Sequence, residues 1–234
     1  AREKAGIMRR YVPCYIAPQP DTQAFNALVA AADELSAPLI VGGQDWRIAA
    51  LDVERFEFRS EKHLLQLPRP ALAGSHQLWN AGLALAVSDA LPFEVSDVAK
   101  VEAMRRVEWS ARLQRLTQGA LVDLLPAGWE LWLDGGHNDS AGEVLAAQAA
   151  AWKRVDDKPL HLVCGMLTTK HPDEFLSPLA AYVRSLQAVT IAGEPLARSA
   201  EDMATAATAT GVASVVAADI RTALRNLVGS SSGG

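Results

Sequence analysis

Apolar positions along this chain recur with two periods, one helical and one extended. Phe25, Leu28, Val29, Ala32 and Leu35 fall at helical spacing, and Asp21 or Thr22 can cap the helix they predict. Residues 11–17 predict a short strand before it. Residues 38–41 predict a buried strand after it, closed by Gly42-Gly43. Segments 51–59 and 63–67 each read as strands. Val53, Phe56 and Phe58 set against charged neighbours predict a partly exposed hairpin. Gly74-Ser75 opens a helix reaching residue 91, and Ser96 or Asp97 caps another reaching about residue 107.

The stretch 108–117 shows no clear helical face and marks a junction. Beyond it, strands predicted at 130–133, 160–163, 188–191 and 214–217 alternate with helices at 140–154, 172–184, 200–210 and 220–228. Such alternation with short connections predicts a parallel sheet covered on both faces. The pattern divides the chain into 1–110 and 111–228, followed by a Gly/Ser-rich stretch, 229–234, expected to be a flexible tail. The chain opens without a start methionine, which together with that tail suggests a fragment.

Charge supports the division. Residues 1–118 carry 14 Lys+Arg and 14 Asp+Glu, whereas residues 119–234 carry 8 and 13 and supply the whole net charge of -5. No basic footprint points to a nucleic-acid partner. No apolar run is long enough to cross a bilayer, so no membrane partner is expected. The two cysteines, Cys14 and Cys164, form neither a disulfide framework nor metal-knuckle spacing, and a cytoplasmic location is the expectation.

Three local patterns carry chemistry. In Leu131-Trp132-Leu133-Asp134-Gly135-Gly136-His137-Asn138 an apolar strand ends in an acid, two glycines, an imidazole and a helix-capping Asn. Ligands of parallel sheets bind beyond the carboxyl ends of strands, glycines admit close approach of backbone, and the next helix offers N–H groups to a phosphate. Asp134 suits a ribose hydroxyl or Mg²⁺, and His137 suits a phosphate oxygen. An ordinary strand–turn–helix capped by Asn138 or Asp139 fits the same residues. In Gly74-Ser75-His76-Gln77-Leu78-Trp79-Asn80, His76 and Asn80 share one face at a helix start, and an Asn amide can read an adenine edge or merely solvate the helix end. In Trp109-Ser110-Ala111-Arg112-Leu113-Gln114, Arg112 has the fork that clamps a triphosphate or forms a surface ion pair.

Taken in order, Glu3-Lys4-Ala5-Gly6-Ile7, Leu72-Ala73-Gly74-Ser75-His76-Gln77 with Asn80-Ala81, Arg112-Leu113-Gln114, Leu133-Asp134-Gly135-Gly136-His137-Asn138, and Gly165-Met166-Leu167 with Lys170 resemble the folylpolyglutamate synthase/dihydrofolate synthase family of the Mur ligase superfamily. The resemblance covers residues 1–228. It implies an α/β fold: the remnant of a Mur-ligase-type central ATPase domain, then a Rossmann-like C-terminal domain with a mostly parallel sheet. It implies an ATP-dependent ligase that adds L-glutamate to dihydropteroate or folates through an acyl phosphate, with ATP and Mg²⁺, in folate and one-carbon metabolism. By the same resemblance, Asn80 contacts adenine, and Arg112, Asp134 and His137 contact the ATP ribose and phosphates. Lys4 matches a lysine that the family carbamylates to help position the metal. Lys4 and His137 are the implied catalytic residues.

The departures are specific. Ser110-Ala111 stand where the family usually has Pro-Gly, and Thr169-Lys170-His171-Pro172-Asp173 where it often has Asp-Lys-Asp. No glycine is followed by lysine, so the chain contains no P-loop. The resemblance therefore implies that an N-terminal portion of the same protein is missing and that the fragment is inactive alone. Two other readings stay open: a non-catalytic Rossmann-like nucleotide-binding or interaction module, and an amide ligase of the peptidoglycan branch.

Overall fold

The computed structural model describes residues 1–230 and Gly234. The chain forms two compact units, Ala1–Glu108 and Trp109–Gly234.

The first unit runs α1 (Arg2–Ala5), β1 (Cys14–Ile16), α2 (Thr22–Glu34), β2 (Leu39–Val41), β3 (Arg47–Ala50), β4 (Arg55–Arg59), β5 (Leu64–Pro68), α3 (His76–Ser88) and α4 (Asp97–Arg106). Asp21 caps α2 by accepting from the Gln23 and Ala24 N–H groups. Strands β1 and β2 pair in parallel, and α1 and α2 pack with them around Ala5, Met8, Ile16, Leu28, Ala32 and Val41. Strands β3, β4 and β5 form an antiparallel meander. One face of it buries Phe56, Phe58 and Leu67 with Trp46 and with Leu78 and Leu85 of α3. The predicted strand 51–59 is in fact the turn of the β3–β4 hairpin followed by β4 itself. Asp52 breaks it, accepting from the Glu54 and Arg55 N–H groups and leaving Val53 exposed in the turn. Trp46 packs against the backbone at Gly42 and Gly82. A Cβ on Gly82 would meet its ring at 2.6 Å, and one on Gly42 would do the same.

The second unit runs β6 (Gln114–Leu116), a 3-10 turn (Val122–Leu124), β7 (Leu131–Leu133), α5 (Asp139–Val155), β8 (Leu160–Cys164), α6 (Pro172–Leu176), β9 (Val183–Ala188), α7 (Ala200–Ala209), β10 (Ser214–Val216) and α8 (Ile220–Ser230). Strands β8, β9 and β10 form a parallel sheet with β9 in the centre. The fold class is thus α/β with parallel sheets. Four details differ from the sequence-based expectation. The junction segment contains a strand, β6. Strand β7 pairs antiparallel with β6 rather than in the parallel sheet. The helix expected over 172–184 is only α6, and the strand expected at 188–191 is β9, several residues earlier. Leu186, Gln187 and Ala188 need burial between two neighbouring strands, and that demand overrides the helical propensity of Leu179–Ala181. Finally, α8 continues through Ser230, so Gly229 and Ser230 are helical rather than tail. Ser230 bonds back to the Asn226 carbonyl. Of the remaining expected tail, 231–233 lie outside the described residues, and the Gly234 carbonyl accepts from the Glu130 N–H at 3.3 Å.

Helix α5 crosses α6 so closely that a Cβ on Gly142 would drive into the Phe175 carbonyl group. The obstacle is backbone, which cannot rotate away. Gly142→Ala is therefore expected to destabilise the chain by about 2 kcal/mol. Urea unfolding followed by circular dichroism checks this, and a loss below about 0.5 kcal/mol would contradict the close crossing.

Candidate functional site

Asp134 leaves the end of β7 with both carboxylate oxygens engaged. Oδ2 accepts from the Leu113 N–H at 2.8 Å and Oδ1 from the Gly136 N–H at 2.7 Å. The Gly135 N–H donates to the Ala111 carbonyl at 2.9 Å, and the Ala111 N–H donates to Gln114 Oε1 at 3.1 Å. These bonds tie the turn before β6 to the loop after β7, continuing the ladder between the two strands. Bonds to an ionised acceptor contribute about 1.5–3 kcal/mol each when buried, and less at this half-buried position. Asp134 is therefore first a positioning residue, with one lone pair left on each oxygen.

The tied turn has unusual backbone. Ala111 and Leu113 lie in the left-handed region, at φ 57° and 45°. This costs a non-glycine residue about 1 kcal/mol. Burial of Leu113 and the Asp134 bond to its N–H offset that cost. Arg112, between them, is exposed, and no side chain among the described residues pairs with it. Ala111 thus adopts the conformation a glycine takes freely, although the sequence departs from Pro-Gly here.

On the facing loop, Gly136 has no room for a side chain. A Cβ would meet Asp134 Oδ1 at 2.8 Å and Ala141 Cβ at 2.9 Å. His137 is exposed and its Nδ1 lies 2.9 Å from the Gly135 carbonyl oxygen. A carbonyl only accepts, so Nδ1 carries a proton. Nε2 is then an acceptor in the neutral ring and a donor only in the imidazolium. The expectation that α5 offers free N–H groups is corrected for two of them. Asn138 Oδ1 accepts from Ala141 and Asp139 Oδ1 from Ser140, so the helix start is capped by its own side chains.

In the first unit, Asn80 is exposed on α3 and donates from Nδ2 to Gln77 Oε1 at 2.9 Å. Gln77, buried, is also 2.9 Å from His76 Nε2. Gln77 thus orients Asn80 and leaves its carbonyl and second N–H outward. Sequence reasoning missed that role, although a glutamine on an apolar helix face was the available sign. Lys4 is exposed on α1, a single turn. The structure groups Arg112, Asp134 and His137 on one pair of loops in the second unit, with Asn80 and Lys4 on separate helices of the first.

Also missed was Arg198. Its Nη2 donates to the Lys170 carbonyl at 3.0 Å, and its own N–H donates to the Met166 carbonyl at 2.8 Å. It thereby holds the 165–170 loop at the carboxyl end of β8. Burial pushes the Cys164 thiol up to about 12, so it stays protonated and supplies no nucleophile at neutral pH. Among the described residues, no three His, Cys, Asp or Glu side chains gather as a metal site. No helix among them is long and apolar enough to cross a membrane.

Because Ala111 is strained and Gly would not be, Ala111→Gly should raise stability by roughly 0.5 kcal/mol, against the usual sign for a glycine substitution. Thermal and urea unfolding measure this. A destabilisation would contradict the left-handed turn.

No protein-family model matches the chain. Across 204 residues it is 27% identical to the dihydrofolate synthase/folylpolyglutamate synthase of Haemophilus influenzae, which covers 82% of this chain and 44% of that protein. The fold of E. coli FolC, solved with DHPP and ADP, superposes with a TM-score of 0.79 at 23% identity over 98% of this chain and 50% of that one. A bifunctional folylpolyglutamate synthase/dihydrofolate synthase solved with Mn, AMPPNP and L-glutamate matches with a TM-score of 0.79 at 25% identity, again over 98% and 50%. The chain spans about half the length of the proteins it matches. In sequence and in fold it is similar to one half of a dihydrofolate synthase/folylpolyglutamate synthase.

Proposed function

We propose that this chain is the C-terminal portion of an ATP-dependent ligase that joins L-glutamate to dihydropteroate or a folate. The observation that carries the reading is the tie made by Asp134. It holds Arg112 and His137, one cationic and one able to become so, on adjoining loops at the end of β7. The likeness to the H. influenzae protein and to the structure holding AMPPNP, Mn and L-glutamate supports it. In this reading residues 1–110 complete a central ATPase domain, 111–228 form the Mur-ligase-type C-terminal domain, and the protein works in the cytoplasm.

ATP phosphorylates the substrate carboxylate, and the glutamate amine attacks the resulting acyl phosphate and expels phosphate. Phosphoryl transfer demands charge neutralisation and alignment more than covalent help. Arg112 offers an unpaired fork to the phosphates. His137 donates from Nε2 as an imidazolium, while the Gly135 carbonyl fixes the ring. Asp134 reaches the ribose with its remaining lone pairs, and Asn80 reads the adenine edge. A divalent ion, Mg²⁺ in this reading, would neutralise phosphate charge. With no carboxylate or imidazole cluster among its described residues, the chain would contribute Lys4, as a carbamate, to that ion's surroundings. The P-loop belongs to the remaining half.

The chain alone is expected to be silent with Mg-ATP, glutamate and dihydropteroate, and to form folate product when mixed with the N-terminal half of its parent. In that reconstituted enzyme, His137→Ala should lower turnover by the equivalent of about 2–4 kcal/mol with folding intact. Product from the chain alone would overturn the half-enzyme reading. Unchanged turnover in the variant would remove His137 from the site, and muropeptide-dependent ATP turnover would move the protein to the peptidoglycan branch.

A further inference from the structure

The first unit contains a cavity of about 350 Å³ that no residue of the proposed ligase site lines. It lies among Lys62, His63, Asp89, Phe93, Glu94 and Lys100. Its size is at the lower end of small-ligand sites. Lys100, on α4, is the anomaly. Lysine is almost never buried without a close partner, yet the Lys100 side chain is 5% exposed. Its one ion pair among the described residues, to Asp97, is stretched to 3.4 Å, and Asp97 is 69% exposed. Most of that carboxylate's charge is spent on water, and two of the three ammonium donors have no acceptor among the described residues.

The less exposed of the two lining acids does not correct this. Asp89 is 10% exposed, but its Oδ1 faces His63 Nδ1 at 2.9 Å and its Oδ2 accepts from Ser60 at 2.7 Å. Lys62 donates to the Asp89 backbone carbonyl at 2.6 Å, which fixes a second ammonium at the rim. Glu94, also in the lining, is exposed. Beside it, Phe93 is 63% exposed and with Leu91, Pro92 and Val95 forms an apolar wall. The result is a buried, under-compensated cation facing a cavity with one greasy side.

We propose that this cavity binds a small organic carboxylate, its anionic end on Lys100 and its apolar body along Phe93. A carboxylate supplies the acceptors that Asp97 does not, to an ammonium whose side chain is 5% exposed and so poorly reached by water. An exposed phenyl ring over a cavity is removed from water by the same event.

The test uses the full chain, labelled with ¹⁵N, and sodium benzoate as the probe at constant ionic strength. Benzoate should produce saturable amide shifts confined to residues 88–95, Lys62, His63 and the start of α4. Benzyl alcohol, the neutral analogue, and sodium chloride should not. Lys100→Met should weaken benzoate binding by at least tenfold, and Phe93→Ser by a smaller factor. Replacing a buried ion with an apolar side chain of similar size is usually tolerated, so the methionine variant should fold. If it does not, Glu94→Gln decides: removal of a like charge at the rim should tighten binding about two- to threefold, by weakened repulsion. Absence of saturable shifts, equal response to benzyl alcohol, or equal affinity in Lys100→Met or in Glu94→Gln would overturn the proposal.

Discussion

One carboxylate determines where the functional loops of the second unit lie. Asp134 takes two backbone N–H groups from segments 21 and 2 residues away along the chain, Leu113 and Gly136. Without an acceptor there, the left-handed Leu113 N–H would be left unpaired in a half-buried site, a penalty of about 1–3 kcal/mol. The neighbours follow from that demand. Gly136 must lack a side chain because Asp134 Oδ1 occupies the space. Gly135 must turn its N–H toward Ala111. The His137 ring then falls back on the Gly135 carbonyl, which sets its tautomer. Arg112, the residue between the two strained positions, is left free to meet an anion. Strain of this kind persists only where surrounding bonds over-determine it, and four hydrogen bonds do so here.

The same logic of close approach operates away from the site. Gly142 lets α5 settle on the Phe175 backbone, which brings α6 against the start of α5 and hence against the Gly136 loop. In the first unit Gly42 and Gly82 admit the Trp46 ring, around which α3 packs on the β3–β5 meander. Helix α3 is thereby fixed, and with it the buried Gln77 that orients Asn80. In each unit a glycine contact places the element that presents a polar side chain, so site geometry and core packing share the same residues.

Much of this was legible in the sequence. The helix spacing from Phe25 to Leu35, a cap at each of the pairs Asp21/Thr22, Ser96/Asp97 and Asn138/Asp139, and the strand before Asp134 each follow from local rules, and each appears, with Asp21, Ser96 and Asn138 taking the caps. The resemblance drawn from Gly74–Ala81, Arg112–Gln114 and Leu133–Asn138 is supported by the folds and sequences the chain matches. What local rules missed depended on distant partners. β6 is three residues long and exists because β7 pairs with it. β9 was misplaced because its identity as a central strand is decided by β8 and β10 rather than by its own period. That Asp134 also ties the two loops was not legible, because nothing in a sequence reveals that each of its oxygens already accepts a backbone N–H. Arg198 and Lys100 carried no motif at all, and their roles follow only from burial and from the partners they have or lack.

Asp134 is the tie between the two loops, and amide hydrogen exchange at Leu113 and Gly136 tests that tie directly. Both N–H groups donate to the same carboxylate, so both should be protected in the native chain. In Asp134→Ala both should lose protection together, by at least about tenfold, while amides of β8 and β9 keep theirs. Retained protection at Leu113 and Gly136 in the variant, or loss at only one of them, would contradict the account.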